Sequence, residues 1–215
     1  MELVISFDSM SKTNILTAVW IVFFLLGRGD VFARQLRLFA QVGTALPAAE
    51  PVRPGPASGF GAGLRLHKGL WLQLDYRSWI NDVGENTGFE LFTGRLHSTP
   101  FLLGLDFELL PEGRLSPVLK AGAGYMFNRF LTGNVITIPE ITLTQSINNG
   151  LTVFGGGGLI IRITEKINLN LEVCGFLRKA GGTTTINDMN RGVSRESFSV
   201  SLNTLILQAG ITYFL

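Results

Sequence analysis

The chain has 215 residues, 46% of them hydrophobic and only 16% charged, with a net charge of +2 and a mean hydropathy of +0.32. Soluble domains carry about a quarter charged residues, so the composition points to a membrane. The near-neutral charge, with no basic stripe, excludes a nucleic-acid footprint. Past the N-terminal region no run of about 18 apolar residues occurs, which excludes a bundle of transmembrane helices and leaves a closed β-barrel as the structure that satisfies every backbone polar group in lipid.

Ile15 to Leu26 reads ILTAVWIVFFLL, an apolar core of a dozen residues preceded by Lys12 and followed by Val31-Phe32-Ala33. That core is short for a bilayer span but fits a secretory signal peptide. We expect cleavage after Ala33, giving a signal peptide over 1–33 and a single barrel domain over 34–215. Glu2 and Asp8 sit poorly in a positively charged leader, and Met10-Ser11-Lys12 offers an alternative start to Met1.

From Leu36 onward the period-2 pattern of strands recurs eight times. Leu36, Leu38, Ala40 and Val42 alternate with Arg37, Phe39, Gln41 and Gly43; Phe60, Ala62, Leu64 and Leu66 with Gly61, Gly63, Arg65 and His67. Leu70 to Tyr76 alternates with Trp71, Gln73, Asp75 and Arg77, and Phe101 to Leu109 with Leu102, Gly104, Asp106 and Glu108. The second half repeats this over Leu119 to Asn128, Leu151 to Ile163, Ile167 to Cys174 and Thr204 to Tyr213. Segments of about ten residues suit tilted membrane-crossing strands.

The connections alternate as well. Lys68-Gly69, Pro111 to Ser116 and Thr164 to Lys166 are short. Pro47 to Ala57, Asn81 to Gly94, Leu131 to Gly150 and Ala180 to Ser199 are long and polar or rich in proline and glycine. Short periplasmic turns and long extracellular loops give this rhythm, and an even strand number leaves both termini in the periplasm. The fold class is therefore an all-β, eight-stranded antiparallel up-and-down transmembrane β-barrel. Within 131–150, Val135, Ile136, Ile138, Ile141 and Leu143 are unusually apolar; they extend strands five and six above the membrane or line a hydrophobic entrance.

Alternation alone also fits a soluble barrel with the apolar face inside. Glycine decides for lipid: Gly43, Gly61, Gly63, Gly104, Gly122, Gly124, Gly156, Gly158 and Gly210 share the polar face, where a narrow lumen needs the space. Tyr76, Tyr125, Phe127 and Tyr213 suit interfacial aromatic girdles. The expected lumen holds an ion-pair network of Arg37, Arg65, Asp75, Arg77, Asp106, Glu108, Lys120, Arg162, Glu172 and Arg178. Buried ions need partners, so near-balanced signs favour a plugged barrel over an open pore. Trp71, Trp79, Leu102, Met126, Phe154, Ile160 and Phe176 face inward too and allow an apolar pocket towards one end. Cys174, the single cysteine, reads as a small packed side chain, and no metal or cofactor site is expected.

The C-terminal LILQAGITYFL, with Leu207, Ala209, Ile211, Tyr213 and Leu215 in frame, resembles the strand by which barrel-assembly machinery recognises its clients; Phe214 is displaced by one from the usual terminal position. Pro117 to Phe127, PVLKAGAGYMF, resembles the fifth-strand motif of OmpW-like and OmpA-like barrels. Gly94 to Leu105, GRLHSTPFLLGL, resembles an OmpW-like stretch in a different order, and Leu202-Asn203-Thr204 stands where that family has leucine, aspartate and proline. The resemblance implies an outer membrane of a Gram-negative bacterium, contact with the lipid bilayer and lipopolysaccharide, and delivery by periplasmic chaperones. An OmpW-like member would pass small hydrophobic molecules through an apolar lumen.

Three functions follow as expectations: a non-enzymatic barrel acting through its loops, an OmpW-like narrow conduit for a small hydrophobic solute, or a lipid A-modifying enzyme. Hydrolysis needs a nucleophile, base and orienting acid on one face. His97 and Ser98 are strand neighbours and point to opposite faces, so no catalytic set is expected. The GGGG run at Gly155 to Gly158 opens no helix and is no phosphate loop.

Overall fold

The computed structural model describes residues 36–49, 52–84, 94–132, 141–190 and 192–215; the signal-peptide expectation for 1–33 lies outside them. Among the described residues eleven strands follow one another: β1 (Leu36–Pro47), β2 (Gly55–His67), β3 (Leu70–Val83), β4 (Gly94–Glu108), β5 (Leu115–Thr132), β6 (Ile141–Ile147), β7 (Gly150–Arg162), β8 (Ile167–Leu177), β9 (Lys179–Asp188), β10 (Gly192–Ser201) and β11 (Thr204–Phe214). Eight of them close a barrel in the order β1-β11-β8-β7-β5-β4-β3-β2, every pair antiparallel. These eight are the eight alternating segments read from the sequence.

The alternation sorts side chains as lipid requires. Val42, Phe60, Leu103, Leu119, Leu171 and Ile211 are exposed, while Arg37, Asp75, Arg77, Asp106, Glu108 and Glu172 are buried. A soluble barrel would place them the other way round. Closure leaves no unpaired sheet edge for the solvent to satisfy.

Across the outer face of β2 to β5, Phe60, Tyr76, Phe101 and Tyr125 are successive cross-strand partners. Ring centroids are 4.9 Å apart for Phe60–Tyr76 and 5.0 Å for Tyr76–Phe101, and Phe127 joins Tyr125 at 5.0 Å. Tyr76, expected in an interfacial girdle, thus belongs to a continuous aromatic rung in mid-strand. Pro100, which lacks an N–H, interrupts the β3–β4 ladder between the Tyr76–Phe101 and Trp79–Ser98 rungs.

At one rim the connections are short. Gly69 closes the β2–β3 turn at φ +78°, and a Cβ there would lie 2.7 Å from the Glu108 carbonyl oxygen; only glycine meets both demands. At the opposite rim, three barrel strands continue outward after brief breaks. β6 runs into β7 past 148–149, β8 into β9 past Arg178, and β10 into β11 past 202–203. Their outer parts form a separate three-stranded sheet in the order β10-β9-β6. Ala180 to Ser199, expected as a loop, is mostly the β9–β10 hairpin. β6 pairs with β9, not with β5, which itself reaches Thr132.

Candidate functional site: the barrel lumen

Inward-facing side chains form successive tiers along the lumen. The middle tier is ionic. Arg162 reaches Glu108 at 2.8 Å, Glu108 accepts from Arg37 at 3.2 Å, and Arg37 also pairs with Asp106. Lys120 bridges Asp106 at 3.4 Å and Glu172 at 2.5 Å; Arg77 joins Glu172 at 2.6 Å to Asp75 at 2.7 Å. The connected set holds four cations (Arg37, Arg77, Lys120, Arg162) and four carboxylates (Asp75, Asp106, Glu108, Glu172), drawn from β1, β3, β4, β5, β7 and β8. All these side chains but that of Arg162, which is 24% exposed, are buried, and charges so removed from water are tolerable only when paired and hydrogen-bonded.

Amides complete the shell. Arg37 donates to Gln73 Oε1 at 3.1 Å, Gln73 donates to Asp75 at 3.1 Å, Gln41 to Glu172 at 2.9 Å, and Arg77 to Gln208 Oε1 at 3.0 Å. The Cys174 thiol donates to Glu172 at 2.9 Å. Alternation turns Gln41 and Gln73 inward, but the network expected from the sequence contains only ionisable residues. The space left beside Arg37, Asp106, Lys120 and Glu172 is about 10 Å³, room for about one water.

β2 contributes no member of this connected ion-pair set. Its inward positions beside the ionic tier are glycines: a Cβ at Gly63 would lie 2.7 Å from Arg37 Nε, and one at Gly61 would lie 2.3 Å from the Leu74 carbonyl oxygen and 2.4 Å from the Phe39 ring. At Gly63 glycine makes room for a side chain. At Gly156 the obstacle is backbone instead, the Val173 carbonyl oxygen at 2.1 Å; glycine there lets tightly curved neighbouring strands approach.

Two arginines expected in the network stand outside it. Arg65 lies near the short-turn end of β2, where no carboxylate of the described residues comes within salt-bridge reach. Its guanidinium sits 5.1 Å from the Trp71 ring centre, over which Arg37 also lies at 4.4 Å. Arg178 occupies the break between β8 and β9 and donates to the carbonyls of Met126 at 2.8 Å and Asn148 at 2.5 Å. Its own backbone N–H donates to Asn203 Oδ1 at 2.9 Å. The arginine therefore ties three chain segments together where the wall divides.

Between the ionic tier and Arg178 lies an apolar cluster. It contains Trp79, Leu102, Met126, Phe154 and Phe176, with Ala45, Ala57, Cys174 and Ile206 filling around them. Trp79 and Phe154 pack on Phe176 with centroids 5.1 and 5.7 Å away. Of the other residues expected in an apolar lumen, Trp71 lies at the opposite end, edge-on to Phe214 at 5.6 Å. Ile160 borders the small space beside Lys120. A second cluster beyond Arg178 joins Leu96, Ala180 and Leu202 to Val83, Phe130, Ile147 and Val200.

In β11, Leu207, Ile211 and Tyr213 are exposed on the outer face, as is Ala209, and Leu215 just past the strand is exposed too. Phe214 faces inward against Trp71, which accounts for its offset from the outer frame. One pair is not evident from the sequence: Ser78 Oγ and His97 Nε2 lie 2.7 Å apart on the outer face, while Ser98 points inward to Asn128 at 3.0 Å. Ser78 and His97 are on different strands, two positions off register, a contact only the strand pairing reveals. Among the described residues no carboxylate hydrogen-bonds the His97 ring, so this nucleophile–base pair lacks the third group that orients a catalytic histidine. Nor do the described residues gather a metal-binding set of histidine, cysteine and carboxylate.

A closed eight-stranded antiparallel wall with an apolar exterior and a charged interior is the fold of the small barrels of bacterial outer membranes. Solved structures agree. The chain is similar to the outer membrane protein OprG from Pseudomonas aeruginosa at a TM-score of 0.66 and 12% identity, covering 86% of this chain and 98% of that one. It is also similar to Neisserial surface protein A (TM-score 0.52, 15% identity, 84% and 97% covered). A major outer membrane protein from Thermus thermophilus matches at 0.53, with 14% identity and 83% and 98% covered. At such identities the likeness is one of fold. No family model matches the sequence, and no curated protein matches it.

Proposed function

We propose that this protein is a non-enzymatic integral outer-membrane barrel, plugged through its middle, that acts structurally or through the surface at its long-connection rim. In this reading residues 1–33 are a signal peptide and both termini lie in the periplasm. Lipid and lipopolysaccharide surround the wall, and chaperones and barrel-assembly machinery deliver it. The observation that carries the proposal is the charge-balanced chain from Arg162 to Asp75, which crosses the lumen while leaving about 10 Å³ beside it. An eight-stranded barrel has room for side chains or one small ligand, and here side chains take it.

A second reading, a narrow conduit for small hydrophobic molecules, draws on the two apolar clusters stacked on either side of Arg178. Planar-bilayer recording and liposome swelling separate the two. A plug gives no conductance steps above the bare bilayer and no swelling with small sugars or apolar solutes. Reproducible steps or solute-dependent swelling by the folded barrel would overturn it.

A further inference from the structure

The short-turn mouth contains a cavity of about 320 Å³ that the ionic tier does not fill, roughly ten times the ~30 Å³ a water occupies in the liquid. Three cationic residues line it: Arg65, Arg162 and Lys166. Arg162 is already matched by Glu108, and Glu108 in turn holds Arg37. Glu165 is the other acidic side chain in the lining, and it makes no ion pair with either remaining cation. Arg65 and Lys166 are then the cations of the lining that have no ion-pair partner among the described residues.

Arg65 has no hydrogen-bond or ion-pair partner among the described residues, and its Nε–H is buried without an acceptor. Trp71 is fully buried, borders the same cavity, and its Nε1–H is also without an acceptor. Buried donors almost always find acceptors. Two orphan donors, one on the unpaired Arg65 guanidinium and one on the Trp71 indole, at the edge of an open cavity form a site short of an acceptor. Trp71 also carries two guanidinium groups over its ring, Arg37 and Arg65, an arrangement that a nearby negative charge relieves.

We propose that the short-turn mouth binds a phosphate group, held by Arg65 and Lys166 with the Trp71 indole N–H as a further donor. Donors approaching from several strands suit the multiple oxygens of a tetrahedral anion better than a single planar carboxylate. The phosphate could belong to a soluble anion entering the mouth or to an anionic phospholipid headgroup at the rim. The site stands whether or not the lumen conducts.

The test uses the purified, folded barrel in an uncharged maltoside detergent. Tryptophan fluorescence is followed as inorganic phosphate replaces chloride at constant ionic strength. Wild type should show a saturable change. In Arg65→Gln the apparent Kd should rise at least tenfold, while Arg114→Gln, a cation of the same rim outside the cavity lining, should match wild type. Heat-modifiable migration on a gel confirms that each variant is folded, and Arg65→Lys should recover part of the affinity if charge is what matters. A linear, non-saturating response in wild type, or an Arg65→Gln barrel that binds like wild type, would sink the proposal. Reconstitution with and without phosphatidylglycerol distinguishes the sources: a headgroup ligand abolishes the response to soluble phosphate only when the anionic lipid is present.

Discussion

Arg77 shows how much one luminal side chain can carry. It is completely buried and reaches Asp75, Glu172 and Gln208 at once. Removing it would leave Asp75 with Gln73 alone and take one of the cations from Glu172. We expect Arg77→Met to lower stability by about 3–5 kcal/mol, the range for breaking a buried pair from one side, read as the urea midpoint of the barrel in lipid vesicles. Arg95→Met, which breaks a pair whose side chains are 68% and 66% exposed, should change it by less than about 1 kcal/mol. Equal effects would mean that the luminal charges are solvated and not a locked network. Alternation alone placed Arg77 inside. Its partner Glu172, 95 residues away, could not be read, because the stagger of a closed barrel decides which luminal residues stand level. The same holds for Arg65 and Arg178: the pattern turned them inward but could not say that neither pairs with a carboxylate among the described residues.

At the scale of elements, the barrel wall and the outer sheet were unequally legible for one physical reason. Each barrel strand has a lipid face and a luminal face, so it writes a period-2 pattern into the sequence. β10 is exposed along most of its length, and Thr183, Thr184 and Thr185 of β9 are polar wherever they point. A sheet with water on both faces imposes no apolar alternation, so the β9–β10 hairpin read as a loop. The pairing also implies independence. β8 and β11 bond directly from Phe176–Thr204 down to Ile167–Tyr213, and the hairpin adds nothing to that ladder. Replacing residues 183–197 by a two-residue turn, which joins the Gly182–Phe198 rung, should therefore leave a barrel with the wild-type heat-modifiable gel shift. Loss of that shift would show that the outer sheet is needed for the wall to close, with Arg178 and its carbonyl partners as the link through which it acts.

For the whole molecule, the two rims differ in a way that fixes an orientation to test. One rim holds the short connections and both ends of the described chain, and the other carries the outer sheet. Outer-membrane barrels keep short turns on the periplasmic side, which would put the β9–β10 tip outside the cell. Met189 at that tip is 83% exposed, and Glu112 lies exposed on the opposite rim, paired only with the surface Lys68 at 2.6 Å. Cys174 is the chain's only cysteine and is fully buried, so Cys174→Ser, which keeps a donor for Glu172, provides a clean background. On intact cells a membrane-impermeant maleimide should label Met189→Cys and spare Glu112→Cys. After the outer membrane is permeabilised, both should react. Labelling of Glu112→Cys alone on intact cells would invert the barrel, moving the phosphate mouth to the outer surface and the three-stranded sheet into the periplasm. The unsubstituted protein supplies its own control, since Cys174 should react only once denaturant has opened the wall, and labelling of the folded barrel would show that the lumen admits solutes as far as Glu172.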